Sequence, residues 1–347
     1  MSEMRKKNKY NVAVIGVGAV GIELLKILKE RSFPIGSLRV FARSERDIVI
    51  EGAKYHVEDI SKRGFDNIDI ALFAGTEGAR GASVIYSQDF VSKGAVVIDN
   101  GADFRLKNNV PLIVPEANKE DIFNHKGIIA NPNCTTIQAV VALAGIYKRF
   151  GIERIILVSL QAASGAGRGA AQALWDETRE IVDKNEGKEF SLIDKRIKKD
   201  SFALGRQIAF NAIPHIGGFK EEGFTSEEWK VVNETHKIFN DDSINISATC
   251  ARIPVFTSHS EAVYFETRKE AGLKDILSVL KESDGVVLLD DKDYPLAVDI
   301  EGTDSVYVGR VRRDPFSKNS FWLWVVADNL RKGAALNAVQ IAEELIK

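Results

Sequence analysis

Cys134, one of only two cysteines in the chain, stands at a strand-to-helix turn. Residues 128–130 read as the end of an apolar strand, and Asn131, Pro132 and Asn133 are turn formers. Residues 137–147 carry the pattern of a buried helix, closed by Lys148, Arg149 and Gly151. The thiol therefore falls in the first helical turn, where unpaired backbone N–H groups favour negative charge and a thiol's pKa is lowered. That setting suits a thiolate nucleophile; the other reading of the segment is a small buried apolar cysteine. A thiolate enzyme also needs a group that accepts the thiol proton and later returns one, and histidine does this near neutral pH. His259 lies among Thr257, Ser258 and Ser260, between β-patterned residues 251–255 and 260–266. Alone it reads as a turn histidine; beside a reactive cysteine it is the candidate acid and base.

These groups need elements to hold them. Residues 11–15 form an apolar strand, followed at once by Gly16-Val17-Gly18-Ala19-Val20-Gly21 and a helical pattern over residues 22–31. In that context Gly16 makes the tight turn, Gly18 lets the backbone approach a pyrophosphate, and Gly21 allows close packing of helix on strand. Ala19 and Val20 open the helix on whose N-terminus phosphates would sit. A second strand, residues 38–42, runs into Arg43, Ser44, Glu45 and Arg46. A free ribose 2′-hydroxyl is usually met here by an acidic residue, whereas two guanidiniums and a hydroxyl suit a 2′-phosphate, so NADP is expected over NAD. Strands at 69–74 and 95–99 follow, and Gly75 and Thr76, just past the first, are placed to line the nicotinamide side of the crevice. A further strand at 154–160 leads into Gln161 and the small-residue loop Ser164-Gly165-Ala166-Gly167, which can approach a planar ring or an acyl group closely.

Composition narrows the rest. At 347 residues the chain exceeds what one core serves, so two domains are the default. A net charge of −2 gives no global pull toward nucleic acid or anionic membrane. No apolar run approaches about 18 residues, and the basic start lacks the apolar stretch of a signal peptide. Two cysteines make neither a disulfide framework nor a cysteine-rich zinc site, and the five histidines show no ligand spacing. A cytoplasmic protein without a structural metal is expected.

Set together, these segments closely resemble the aspartate-β-semialdehyde dehydrogenase family over nearly the whole chain. The matching pieces are residues 131–136, 164–168, 207–211 with 213–215, 232–235, 252–255 with His259 and Ser260, and 328–333, in the family's order. The resemblance implies NADPH-dependent reductive dephosphorylation of L-aspartyl-β-phosphate to the semialdehyde, a step toward lysine, methionine and threonine. It implies that Cys134 carries a thioacyl intermediate and that His259 is the acid/base. Gln161 matches the residue orienting substrate near the cysteine, Arg252 the arginine gripping the α-carboxylate, and Glu227 the partner of the α-amino group. Arg105, Lys230 and Asn133 match the phosphate site. Asn329 and the Ser164, Gly165 and Ala166 loop match contacts to the nicotinamide end. A homodimer or homotetramer through the second domain is implied as well.

Some segments depart from the family pattern. The glycine loop is one residue shorter than the family's common Gly-Ala-Thr-Gly-Ala-Val-Gly and lacks its threonine, and Glu45 stands where a 2′-phosphate would come. Residues 102–105, Ala-Asp-Phe-Arg, are closer to N-acetyl-glutamyl-phosphate reductase, which is the alternative enzyme reading. A catalytically idle NADP-binding relative is the non-enzymatic one. The expected architecture is α/β: a Rossmann domain over residues 1–133, completed by a C-terminal helix at 330–346, and a mixed α+β catalytic and dimerisation domain over 134–329. The charged stretch 183–200 is expected as a helix-and-loop excursion.

Overall fold

The structure, a computed structural model, describes residues 6–74, 78, 80–198, 201–290 and 292–347. Short strands apolar on both faces must be covered on both sides, and the first third of the chain builds such a sheet. Its strands are β1 (Tyr10–Ile15), β2 (Ile35–Ala42), β3 (Arg46–Ile50), β4 (Ala53–Asp59), β5 (Ile70–Phe73), β6 (Val96–Asp99) and β7 (Ile128–Ala130). The seven run in the order β3-β4-β2-β1-β5-β6-β7, parallel throughout except for the β3–β4 hairpin. Helices α1 (Ala19–Glu30) and α2 (Ala82–Ser92) and the single turn α3 (Pro115–Asn118) connect these strands. Strand order reverses at β1, between β2 and β5, which is where an open parallel sheet opens its ligand crevice. The hairpin is absent from the sequence reading. Its turn places Glu51 and Gly52 at φ of 48° and 77°, and Glu51 is not one of the residues that usually signal such a turn.

The rest of the chain forms α4 (Cys134–Phe150), β8 (Ile152–Gln161), α5 (Arg168–Lys184), α6 (Ser226–Phe239), β9 (Asn245–Arg252) and β10 (His259–Thr267). These are followed by α7 (Leu273–Glu282), β11 (Val286–Leu288), α8 (Ala297–Ile300), β12 (Val306–Arg313), β13 (Ser320–Ala327) and α9 (Leu336–Ile346). The second sheet is mixed and six-stranded, in the order β11-β12-β13-β10-β8-β9. Alternation along its strands sends Leu157, Val263 and Leu323 inward, into one core with Ile137, Val140, Val141 and Leu143 of α4. On the opposite face, Ile156 and Val158 stay exposed beside Tyr264 and Trp322, whose rings meet edge to face at 5.2 Å. No helix among the described residues is long and apolar enough to cross a membrane.

The chain returns to the first sheet at its end. Leu336, Val339, Ile341 and Ala342 of α9 share a core with Val12, Val14, Leu24 and Leu28. The expected continuous helix from residue 330 instead starts as a π turn, Arg331–Ala335, before α9. Asp328 causes this by accepting the Leu330 and Arg331 amides on its carboxylate and the Gly333 amide on its carbonyl.

That turn buries Lys332, which donates to Glu116 at 2.8 and 2.9 Å, to Asn337 at 2.9 Å and to Gln340 at 2.6 Å. Burial pulls the lysine's pKa down and Glu116 partly restores it. Glu116→Ala leaves the ammonium without its counter-charge, so a stability loss of about 3–5 kcal/mol is expected. The unfolded lysine then holds a proton that the folded one sheds more easily. Stability of the variant should therefore rise as pH is raised toward about 10. Thermal melts of parent and variant at neutral and alkaline pH check this; equal melting temperatures throughout would contradict it.

Candidate active site

The glycine turn after β1 takes the conformations its spacing predicts. Gly16 sits at φ +101°, and a Cβ on Gly21 would lie 1.9 Å from the Gly16 carbonyl oxygen. A Cβ on Gly18 would meet nothing within 4 Å, because the backbone there borders open space. The N-terminus of α1, at Ala19 and Val20, has no side-chain cap, which suits a phosphate. The adjoining cavity, about 650 Å³, is lined by Gly16, Gly18, Arg43, Ser44, Arg46 and Tyr86 among others. Arg46 Nη1 donates to the Ser44 carbonyl at 3.0 Å and to its hydroxyl at 2.9 Å. Glu45 pairs instead with Arg63 at 3.1 Å and His56 at 3.5 Å, which answers its charge locally. This donor set and the open backbone fit a dinucleotide with a 2′-phosphate. Gly75 and Thr76 lie outside the described residues.

Asn133 caps α4, its Oδ1 accepting the Thr135 amide at 3.0 Å, and Cys134 is the first helical residue. Cys134 is partly exposed, and its Sγ lies 3.3 Å from His259 Nε2. His259 is not a turn residue: it opens β10 and is fully buried. On the other side of the ring, Nδ1 accepts the Ala162 backbone N–H at 3.1 Å. The thiol pKa is raised, not lowered as its place at a helix start predicts. Burial, reinforced by Glu227, pushes Cys134 up to about 11, against the pull of Arg252, Arg105 and the Thr135 amide. The helix terminus is outweighed by desolvation beside a carboxylate. Burial, then Arg252, holds His259 well below the ordinary imidazole range. Burial thus works against charge on both members of the pair.

The remaining candidates converge on this pair. Arg252, at the end of β9, is buried and donates through Nη1 to the Ala162 carbonyl at 2.7 Å and Gln161 Oε1 at 3.2 Å. Gln161 Nε2 reaches Thr135 Oγ1 at 2.8 Å and Glu227 at 3.2 Å. Glu227 also accepts Asn133 Nδ2 at 2.9 Å and stands 3.4 Å from Lys230. Burial works against its ionised form, but Lys230, Asn133 and Gln161 together hold the carboxyl below its usual range. Arg105 is buried, with Nε on the Asn131 carbonyl at 2.9 Å, Nη2 on that of Asn100 at 2.8 Å and Nη1 on Glu234 at 3.0 Å. Arg105 and Lys230 line one cavity of about 410 Å³ with Trp229 and Asn233.

Ser164 and Asn329 exchange side-chain hydrogen bonds at 3.0–3.1 Å, and Asn329 Oδ1 accepts the Ser258 amide at 2.9 Å. A Cβ on Gly165 would lie 2.7 Å from Arg252 Nη1 and 3.0 Å from the His259 ring, so the loop closing on Ala166 needs glycine there. Sequence reasoning missed Glu234 as a site residue. Its carboxylate joins Arg105 to the Asn133 backbone N–H, the latter at 2.6 Å. The available signal was its place seven residues after Glu227 and four after Lys230, on the same face of α6.

A parallel sheet with a glycine-turn crevice, beside a partly exposed cysteine paired with a buried histidine, defines a nicotinamide-dinucleotide oxidoreductase of the semialdehyde class. The family model described as semialdehyde dehydrogenase, NAD binding domain, matches residues 11–125, and that of the semialdehyde dehydrogenase dimerisation domain matches residues 143–332. Aspartate-semialdehyde dehydrogenase of Aquifex aeolicus is 46% identical, over 97% of this chain and 98% of that one. The Bacillus subtilis protein of that name is 44% identical, over 97% of each. The crystal structure of aspartate semialdehyde dehydrogenase II from Vibrio cholerae complexed with ASA has a TM-score of 0.89, 41% identity, and covers 98% of this chain and 99% of that one. The chain belongs to the aspartate-semialdehyde dehydrogenase family.

Proposed function

We propose that this protein reduces L-aspartyl-β-phosphate to L-aspartate-β-semialdehyde with NADPH, through a thioacyl intermediate on Cys134. The observation that carries the reading is the 3.3 Å contact of Cys134 Sγ with His259, within a shell that holds Arg252, Gln161 and Glu227. Arg252 takes the substrate's α-carboxylate, since a planar guanidinium grips a carboxylate at two points. Glu227, held ionised, takes the α-ammonium, and Gln161 orients the acyl group between them. Arg105, Lys230 and Asn133 receive the phosphate. Sulfur attacks the acyl carbon, phosphate departs, and a thioester remains. The oxyanion falls to the first-turn amides of α4. The Thr135 amide serves the Asn133 cap, which leaves those of Cys134 and Thr136 for this role.

NADPH, when bound, supplies the hydride that reduces the thioester. Arg43, Ser44 and Arg46 hold its 2′-phosphate, Gly16, Gly18, Ala19, Val20 and Gly21 its pyrophosphate, and Gly75, Thr76, Ser164, Gly165, Ala166 and Asn329 its nicotinamide end. His259 stays at the sulfur as the carbon–sulfur bond breaks. We divide the chain into a cofactor domain of residues 1–133 with 330–347 and a catalytic domain of 134–329. The exposed face bearing Ile156 and Val158 is the surface on which a homodimer, or a tetramer built from it, would form, in the cytoplasm.

The decisive assay is NADP reduction by aspartate semialdehyde. It should require phosphate or arsenate and should be slower with NAD. Turnover of N-acetyl-glutamate semialdehyde instead would favour the alternative enzyme. Tight NADP binding without turnover of either aldehyde would favour the idle relative.

A further inference from the structure

We infer that Glu234 is a positioning residue for the reaction: its one carboxylate ties Arg105 of the phosphate site to the Asn133 backbone beside Cys134, so that phosphate and sulfur are presented to the same acyl carbon. The inference rests on the phosphate site proposed above.

Both groups stand on connecting segments. Arg105 lies between β6 and α3, and Asn133 between β7 and α4. A loop side chain keeps one geometry only when packing and hydrogen bonds from a rigid element lock it. Glu234, buried on α6, supplies that lock. Its Oε1 accepts Arg105 Nη1 at 3.0 Å and its Oε2 accepts the Asn133 backbone N–H at 2.6 Å. Both partners are donors, so both oxygens must accept, which a carboxylate can do and an amide cannot.

The same helix completes the frame. Glu227, Lys230, Glu234 and Lys237 recur at intervals of three, four and three along α6, which sets them on one face. Glu227 takes Asn133 Nδ2 at 2.9 Å. Lys237 Nζ donates to the carbonyls of Arg105, Lys107 and Val110 at 2.6, 2.8 and 2.7 Å, fastening the Arg105 segment by its backbone. Glu227 thus holds one segment and Lys237 the other, while Glu234 holds both.

A carboxylate beside an arginine also weakens that arginine's pull on an anion. The two roles have opposite signs. Loss of a positioning contact weakens phosphate binding, whereas loss of a mere counter-charge strengthens it.

NADP reduction by aspartate semialdehyde, with phosphate varied, tests this in Glu234→Gln. The amide matches the carboxylate in size but turns its own N–H groups against either Arg105 or the Asn133 amide. KM for phosphate should rise roughly 10–100-fold, KM for the semialdehyde much less, and NADP affinity should stay within about twofold of the parent. A phosphate KM that stayed the same or fell would overturn the inference. Equal rises in both KM values would mark a general loosening of the site and overturn it too. Glu234→Asp keeps two acceptor oxygens on a shorter stem, and its phosphate KM should lie between those of the parent and Glu234→Gln. The reverse order would make side-chain volume the reason for glutamate, against the inference. In an Arg105→Lys background Glu234→Gln should raise the phosphate KM little further, because it acts through that guanidinium; full additivity would count against it. Arg105→Lys alone judges the phosphate site. A parental phosphate KM there would fell that reading and the inference with it. A raised KM there, beside a parental one in Glu234→Gln, would fell the inference alone.

Discussion

Cys134→Ser is expected to lower kcat by about four orders of magnitude while the melting temperature and NADP affinity stay near those of the parent. Oxygen replaces sulfur at a partly exposed first-turn position, so packing changes little. The hydroxyl, however, is a far weaker acid and a poorer nucleophile than the thiol, even with an imidazole 3.3 Å from that position. Steady-state kinetics together with a thermal melt make the measurement. A serine variant within about tenfold of the parent would mean that no covalent sulfur intermediate lies on the path.

The second large effect is expected at Arg252. Its Nη1 is committed to Gln161 and the Ala162 carbonyl, which fixes the plane in which the rest of the guanidinium meets a carboxylate. A lysine carries one point charge and cannot span both these acceptors and the substrate. Arg252→Lys should therefore cost about 3 kcal/mol of substrate recognition, roughly 150-fold in kcat/KM, mainly through KM. The parent and variant should be almost equally poor with a semialdehyde that lacks the α-carboxylate. If the variant kept its full deficit on that shortened substrate, the arginine would be acting on something other than the carboxylate.

Both predictions involve residues visible in the sequence, but for different reasons. Cys134 was legible because its chemistry is local: turn formers before it, an apolar helix after it, and Asn133 at the cap two residues before the amide it accepts. The same holds for Gly16, Gly18 and Gly21, whose spacing alone dictates how strand passes into helix. Arg252, Glu227 and Arg105 showed nothing locally that separates them from solvated charges; only the resemblance singled them out. Glu234 stayed hidden because its partners, Arg105 and the Asn133 amide, are 129 and 101 residues away in the chain. The β3–β4 hairpin was missed for a nearer cause, an uncommon residue, Glu51, at its turn.

Periodicity, turn chemistry and motif spacing were enough to settle the α/β class, the glycine-turn crevice and the thiol's seat at a helix start, since each depends on neighbours within a few residues. Tertiary structure alone decided which way burial and neighbouring charges push that thiol and its imidazole. That depends on desolvation and on charges brought from α6, β9 and the Ala162 loop, and a helix terminus that favours thiolate in isolation is overruled once burial and the Glu227 carboxylate surround it.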